Sequence, residues 1–391
     1  MTSPYAGLPD HQFWRRAVSR MEPFKLDPVV ATRFTIAADD RVATAGSCFA
    51  QHIARSLRQV GGNYYVAEPP PAGLPEHEAD VRNFGVFSAR FGNIYTARQL
   101  LQLFEEAHGR WQPQEAAWQR ADGRFVDPYR PQIEPAGFAS AAEVATSRAA
   151  HLAAVRTMFA SANLFIFTLG LTEAWRARND GAVFPLAPGV AGGHFDPARH
   201  EFLNFTAAEV EADLRAFMIG LAAVNPSCRV ILTVSPVPLI ATYEPRHVLV
   251  STTYSKSALR VAAEGVVRAF SNAEYFPSYE IITGAFNRGA YYEDDLRDVT
   301  RFGVDHAMRV FLCHYTKAGG TQAAAPSAQA RALTVRRDVE DGYEVVCDEE
   351  AIDAIRIPEL AEAPPPVPTN AAERGARWLR RLARRSRRGR T

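Results

Sequence analysis

Apolar residues in this chain fall into two kinds of stretch. Short runs with few polar positions occupy 42–45, 64–67, 164–169, 230–234 and 275–282. Over 163–170 and 229–236 an extended chain is apolar on both faces, as in strands of a parallel sheet covered by helices on two sides. Between these runs, apolar residues recur three or four apart. Residues 49–60 do so through Phe49, Ile53, Leu57 and Val60, and 96–107, 141–160, 206–224, 255–270 and 300–312 are also helix-patterned. Thr206 followed by Glu209 has the spacing of a capping box. Strands alternating with helices predict a doubly wound α/β sandwich with a mostly parallel central sheet. In such sheets ligands bind at the carboxyl ends of the strands.

Two stretches break the pattern. Residues 111–138 are rich in Pro, Gly, Trp and Arg and predict an irregular insertion. Residues 179–204 hold Pro and Gly clusters, and so long a loop serves either as a functional wall or lid or as a surface excursion. The boundaries that follow are an N-terminal extension over 1–33, a main domain over 34–316, a C-terminal extension over 317–357 and a Pro-rich linker with a basic tail over 358–391. Within the extension, 317–329 is Ala/Gly/Ser-rich like a linker, and 334–357 has room for a strand and a short helix.

Composition narrows the class. The chain has 391 residues, 47% hydrophobic and 22% charged, which are ordinary globular values. A formal net charge of +1 excludes a whole-chain electrostatic nucleic-acid binder. The arginine-rich tail over 377–390, with Trp378 and Leu382 four apart, instead suits an anionic membrane surface or a polyanion, or simply a solvated end. Four scattered cysteines (Cys48, Cys228, Cys313 and Cys347) match no zinc spacing and suggest free thiols in a reducing compartment. The first residues lack the pattern of a secretory signal and no apolar run is long enough to span a membrane, so a cytoplasmic, at most membrane-peripheral, protein is expected.

The segment most able to carry chemistry is Gly46-Ser47-Cys48-Phe49-Ala50, where a strand ends in a glycine and a helix begins. That turn lifts a small nucleophile above the sheet edge, next to helix N–H groups that stabilise an anion. Ser47 is either a nucleophile in need of a base or a helix cap, and Cys48 is its rival. Tyr254-Ser255-Lys256-Ser257 holds an adjacent Ser–Lys pair, which reads as a helix start with a basic residue more readily than as a Ser/Lys dyad, with binding of an anionic substrate group by Lys256 as the alternative. His194 and His200 flank Asp196 at a spacing that fits no strong metal pattern, so no metal is expected. Without GxGxxG or a P-loop, no nucleotide cofactor is expected either.

Five blocks in order resemble the GSCFA family: the Gly46–Ala50 motif itself, Phe87-Ser-Ala-Arg-Phe-Gly-Asn-Ile-Tyr-Thr96, Phe167-Thr-Leu-Gly-Leu-Thr-Glu-Ala-Trp175, Leu232-Thr-Val-Ser-Pro-Val-Pro-Leu239 and Tyr275-Phe-Pro-Ser-Tyr-Glu280. That family looks like a branch of the SGNH/GDSL hydrolase superfamily. The resemblance implies a flavodoxin-like three-layer sandwich and a serine esterase or O-acyltransferase acting on an acylated small molecule or glycan. Ser47 takes the nucleophile position, and the oxyanion hole would comprise the N–H groups of Ser47 and Gly92 with Thr172 in place of the usual Asn. The superfamily's Asp-x-x-His is altered here. Asp295-Leu296-Arg297-Asp298 puts Asp298 where histidine is expected. His306 is then the candidate base, oriented by Asp298 or Asp305, and His247 is the alternative base. The same departures suit a binding or partner module that has kept the fold and lost the histidine. Specific nucleic-acid binding is not expected.

Overall fold

The computed structural model describes residues 3–59, 61–316 and 347–353. In chain order the elements begin with β1 (Val42–Gly46), α1 (Ala50–Gln59), α2 (Glu76–Val81), α3 (Ala97–Ala107), β2 (Trp118–Gln119), β3 (Phe125–Val126) and α4 (Ala141–Ser161). There follow β4 (Leu164–Leu169), β5 (Glu173–Ala177), β6 (Val183–Phe184), β7 (His200–Asn204), α5 (Ala207–Val224), β8 (Arg229–Val234) and α6 (Val248–Ala269). The last are β9 (Ala273–Tyr275), α7 (Ser278–Thr283), α8 (Arg301–Tyr315) and a short α9 (Glu350–Asp353).

The central sheet has the order β1-β4-β8-β9, with every pairing parallel. Its strands have both faces buried, as their unbroken apolar runs predict. Alternate residues serve the two layers. Phe165, Phe167 and Leu169 of β4 join one apolar cluster with residues of α3, α4, α5 and α6, whereas Leu164 and Ile166 join another with residues of α1, α7 and α8. The result is a helix–sheet–helix sandwich. Tyr64 forms a lone parallel bridge to Val42, outside β1. With Tyr64 counted as an edge position, the order reads 2-1-3-4-5, that of flavodoxin-like sheets.

The 64–67 run does not extend into a strand. Tyr65 donates to the Val42 carbonyl at 2.8 Å, but by Ala67 the chain has swung to the Ser88 carbonyl at 2.7 Å. The 275–282 run splits for a clear reason: Pro277, with no N–H, ends the ladder after Phe276, and α7 follows. Helix α6 begins seven residues before the expected start at 255, because the His247 side chain caps it by accepting the Leu249 N–H at 3.2 Å. The irregular insertion carries the β2–β3 hairpin, and the long loop supplies β6 and β7, which flank β5 in an antiparallel sheet.

The insertion also braces the loop that precedes α3. Fully buried Arg130 donates to Asp127 at 2.7 Å and to the Arg90 carbonyl at 3.2 Å. Before β1, Phe24 stacks on Phe302 with ring centroids 4.9 Å apart, which holds the N-terminal extension against α8. No helix among the described residues is long and apolar enough to cross a membrane. The linker over 317–329, most of the 334–357 extension, the Pro-rich spacer and the tail over 377–390 lie outside the described residues.

Candidate active site

Gly46 closes β1 with φ +137°, and a Cβ there would overlap the Thr168 carbonyl on β4. Only glycine lets the two strands pass so closely. Ser47 follows, its N–H bound to that same carbonyl at 3.1 Å, and α1 starts as Ala50 and Gln51 donate to the Ser47 and Cys48 carbonyls. A second close approach fixes the other wall. A Cβ on Gly170, just past β4, would lie 3.1 Å from Tyr95 and 3.2 Å from Ser47 Cβ. Tyr95 belongs to the braced loop, whose Ile94 donates to the Gly46 carbonyl at 2.9 Å, and Gly170 and Leu171 both donate to the Tyr95 carbonyl. Two strand ends and the loop before α3 thus meet at the carboxyl edge of the sheet.

They line a small pocket of about 10 Å³ with Ser47, Tyr95, Gly170, Ser235, Lys256 and Glu349 among its walls. Ser47 is 2% exposed, and among the described residues its Oγ has no hydrogen-bond partner. Buried polar atoms are rarely left so, and those that are call for an explanation. Lys256 reaches in from α6 and its Nζ donates to the Gly170 carbonyl at 2.5 Å. Burial lowers its pKa from 10.5 to about 8. A buried amine near its pKa at physiological pH is a candidate proton acceptor.

The described residues after α8 also enter this region. Burial, reinforced by Cys347, raises the Glu349 carboxyl to about 7, although Arg297 donates to it at 3.0 Å. Burial likewise raises Asp348 to about 7, and its Oδ2 accepts the Asn93 N–H at 3.4 Å beside Gly92. Outside the pocket, and meeting it at Cys48 and Val237, lies a cleft of about 380 Å³ walled by α1, by the 293–301 loop and by the start of α8. His52 lines this cleft four residues after Cys48, and burial lowers its pKa to about 4, so the ring is neutral.

The residues expected from the sequence are dispersed. His306 is fully buried, with Nε2 on the Leu26 carbonyl at 2.7 Å and Nδ1 on the Tyr291 hydroxyl at 2.7 Å. Both nitrogens are occupied, and it does not line the Ser47 pocket. His247 is an exposed helix cap. Asp298 and Asp305 line the outer cleft, where Arg297 lies 3.8 Å from Asp298 and Arg301 lies 4.0 Å from Asp305. The Thr172 hydroxyl donates to Asn204 at 2.7 Å and its N–H to Ser255 at 2.9 Å, so neither faces Ser47. The Ser47 N–H is held by Thr168, and the donor offered to an anion on the Gly92 loop is the Asn93 N–H. His200 uses one nitrogen on Glu115 at 2.9 Å and the other on the Asp196 N–H at 3.1 Å. Sequence reasoning missed His52, Arg297 and Asn93, and gave no role to Cys347, Asp348 or Glu349. Only His52, one helical turn after Cys48, carried a local signal.

A parallel sheet flanked by helices defines an α/β sandwich, with a glycine–serine turn after its first strand and a buried lysine at the same edge. The chain belongs to the GSCFA family, whose model matches residues 41–311. None of the curated proteins compared with it matches. The family span contains Ser47, Gly92, Thr172, Lys256, Asp298 and His306 and stops short of Cys347.

Proposed function

We propose that this chain is a serine acyl hydrolase or O-acyltransferase of the SGNH/GDSL type, with Ser47 as nucleophile and Lys256 as its base. The supporting observation is the buried Ser47 hydroxyl, without a hydrogen-bond partner among the described residues, in one small pocket with a lysine whose pKa is lowered to about 8. The 2-1-3-4-5 strand order with the serine after its first strand supports the superfamily. The neutral Lys256 amine takes the Ser47 proton as Oγ attacks an acyl carbonyl, then returns it to the departing alkoxide. The Asn93 N–H, once released by Asp348, donates to the developing oxyanion. Water or an acceptor hydroxyl then takes the acyl group. The substrate class is an O-acyl ester, with acylated glycans suggested by the superfamily.

A binding module is the second reading, favoured by the commitment of both His306 nitrogens to Tyr291 and Leu26. Hydrolysis of short acyl esters by the reduced protein separates the two. Under the enzymatic reading, Ser47→Ala and Lys256→Met each lose about 10³-fold or more in kcat/KM. Wild-type activity equal to that of Ser47→Ala leaves the binding reading in place.

A further inference from the structure

We propose that Cys48 and Cys347 form a reversible dithiol–disulfide pair that latches the 347–349 segment across the Ser47 pocket. The proposal deepens the serine-hydrolase reading by adding a control on its site. Its chemical half stands independently of that reading.

The two thiols face the same cleft, and each perturbs the other's ionisation. Both are buried, and both line the 380 Å³ cleft. Arg297 donates to Cys347 Sγ at 3.5 Å. The neighbouring Cys48 and that guanidinium hold Cys347 well below a normal thiol, at about 5, whereas the neighbouring Cys347 and burial push Cys48 up. One member of the pair is therefore the thiolate that attacks and the other the thiol that resolves. The remaining two cysteines are placed elsewhere. Cys228 is buried in the core at the start of β8, and Cys313 is exposed on α8.

The segment carried by Cys347 occupies the positions a substrate would need. The Asp348 carboxylate takes the Asn93 N–H, and Glu349 lines the serine pocket while bound to Arg297. Only about 10 Å³ of that pocket is left, enough for about one water. Reduced, the described part of the segment is held by hydrogen bonds and an ion pair; oxidised, it is tied covalently to the residue next to Ser47.

The step balances with glutathione disulfide as oxidant. The Cys347 thiolate attacks it, forming a mixed disulfide and expelling one glutathione thiolate. Cys48 gives its proton to that thiolate, attacks the Cys347 sulfur and expels the second glutathione. Two electrons pass to glutathione and one protein disulfide forms.

The test is incubation of the full chain with glutathione disulfide, followed by thiol counting, a non-reducing peptide map and ester hydrolysis. The expected result is a fall from four free thiols to two, one peptide pair joining Cys48 to Cys347, and at least tenfold lower hydrolysis that dithiothreitol restores. Hydrolysis by Cys347→Ser and Cys347→Ala is then insensitive to the oxidant. Four remaining thiols, a different pairing, or the expected disulfide with unchanged hydrolysis would each overturn the latch. Where wild type shows no hydrolysis at all, amide exchange over residues 47–51 decides: slower exchange on oxidation supports the latch and unchanged exchange refutes it.

Discussion

Ser47 is buried beside a lysine, and that pairing sets its expected pH behaviour. With Lys256 as base, kcat/KM rises with pH and levels off above about 8, where the amine is neutral. A pH–rate profile with its midpoint near 6.5 would point to a histidine instead. Stability carries the same signature. The folded pKa of Lys256 lies below its ordinary 10.5, so the native state releases the proton first and gains stability as pH rises from about 8 toward 10.5. In Lys256→Met that alkaline gain disappears from thermal melts. His306 behaves as a core residue. His306→Ala loses two buried hydrogen bonds and its ring contact with Phe24, at a cost of about 2–4 kcal/mol. Its kcat per folded molecule stays at the wild-type level. A lost kcat with an unchanged melting temperature would restore the histidine to the mechanism.

The strand–turn–helix unit of β1 and α1 was legible because its signals are local. An apolar run stops at Gly46, and apolar residues then recur at helical spacing. The parallel strands β4 and β8 were legible for the same reason. The second sheet was not, since β5 and β7 are only partly buried and carry mixed polar patterns. The start of α6 was obscured by β-branched residues after His247, where a cap and tertiary packing override propensity. Close approach between elements was equally invisible. Nothing around Gly170 announces that Tyr95 and Ser47 Cβ will press on it. Gly170→Ala is therefore expected to destabilise the fold by about 1–3 kcal/mol, read as a lower melting temperature. Ester hydrolysis falls with it, because the new methyl group displaces the serine. An unchanged melt would show that the loop carrying Tyr95 yields freely.

Across the whole molecule the site is a meeting of distant segments. Ser47, the Asn93–Tyr95 loop, Gly170, Lys256 and Glu349 converge only because the sheet order brings their loops to one edge. A single sequence cannot reveal that convergence, so His306 drew attention by residue type while Lys256 looked like a helix start. The buried acids of the 347–349 segment have their own consequence. Asp348 is raised from 3.8 to about 7 in the fold, so its contribution to stability is full below about 4 and is lost as pH climbs to 7. Asp348→Asn is expected to melt above wild type at pH 8 and level with it near pH 4. Identical melts at both values would mean that the carboxyl is not buried in solution. Acylation of Ser47 with Lys256 as base is tested by acid-quenched reaction of the reduced chain with p-nitrophenyl acetate, followed by peptide mass spectrometry. An acetyl group on Ser47 is expected, absent from Ser47→Ala and formed far more slowly in Lys256→Met. Acetylation of Cys48 with Ser47 unmodified, or equal rates in wild type and Lys256→Met, would contradict it.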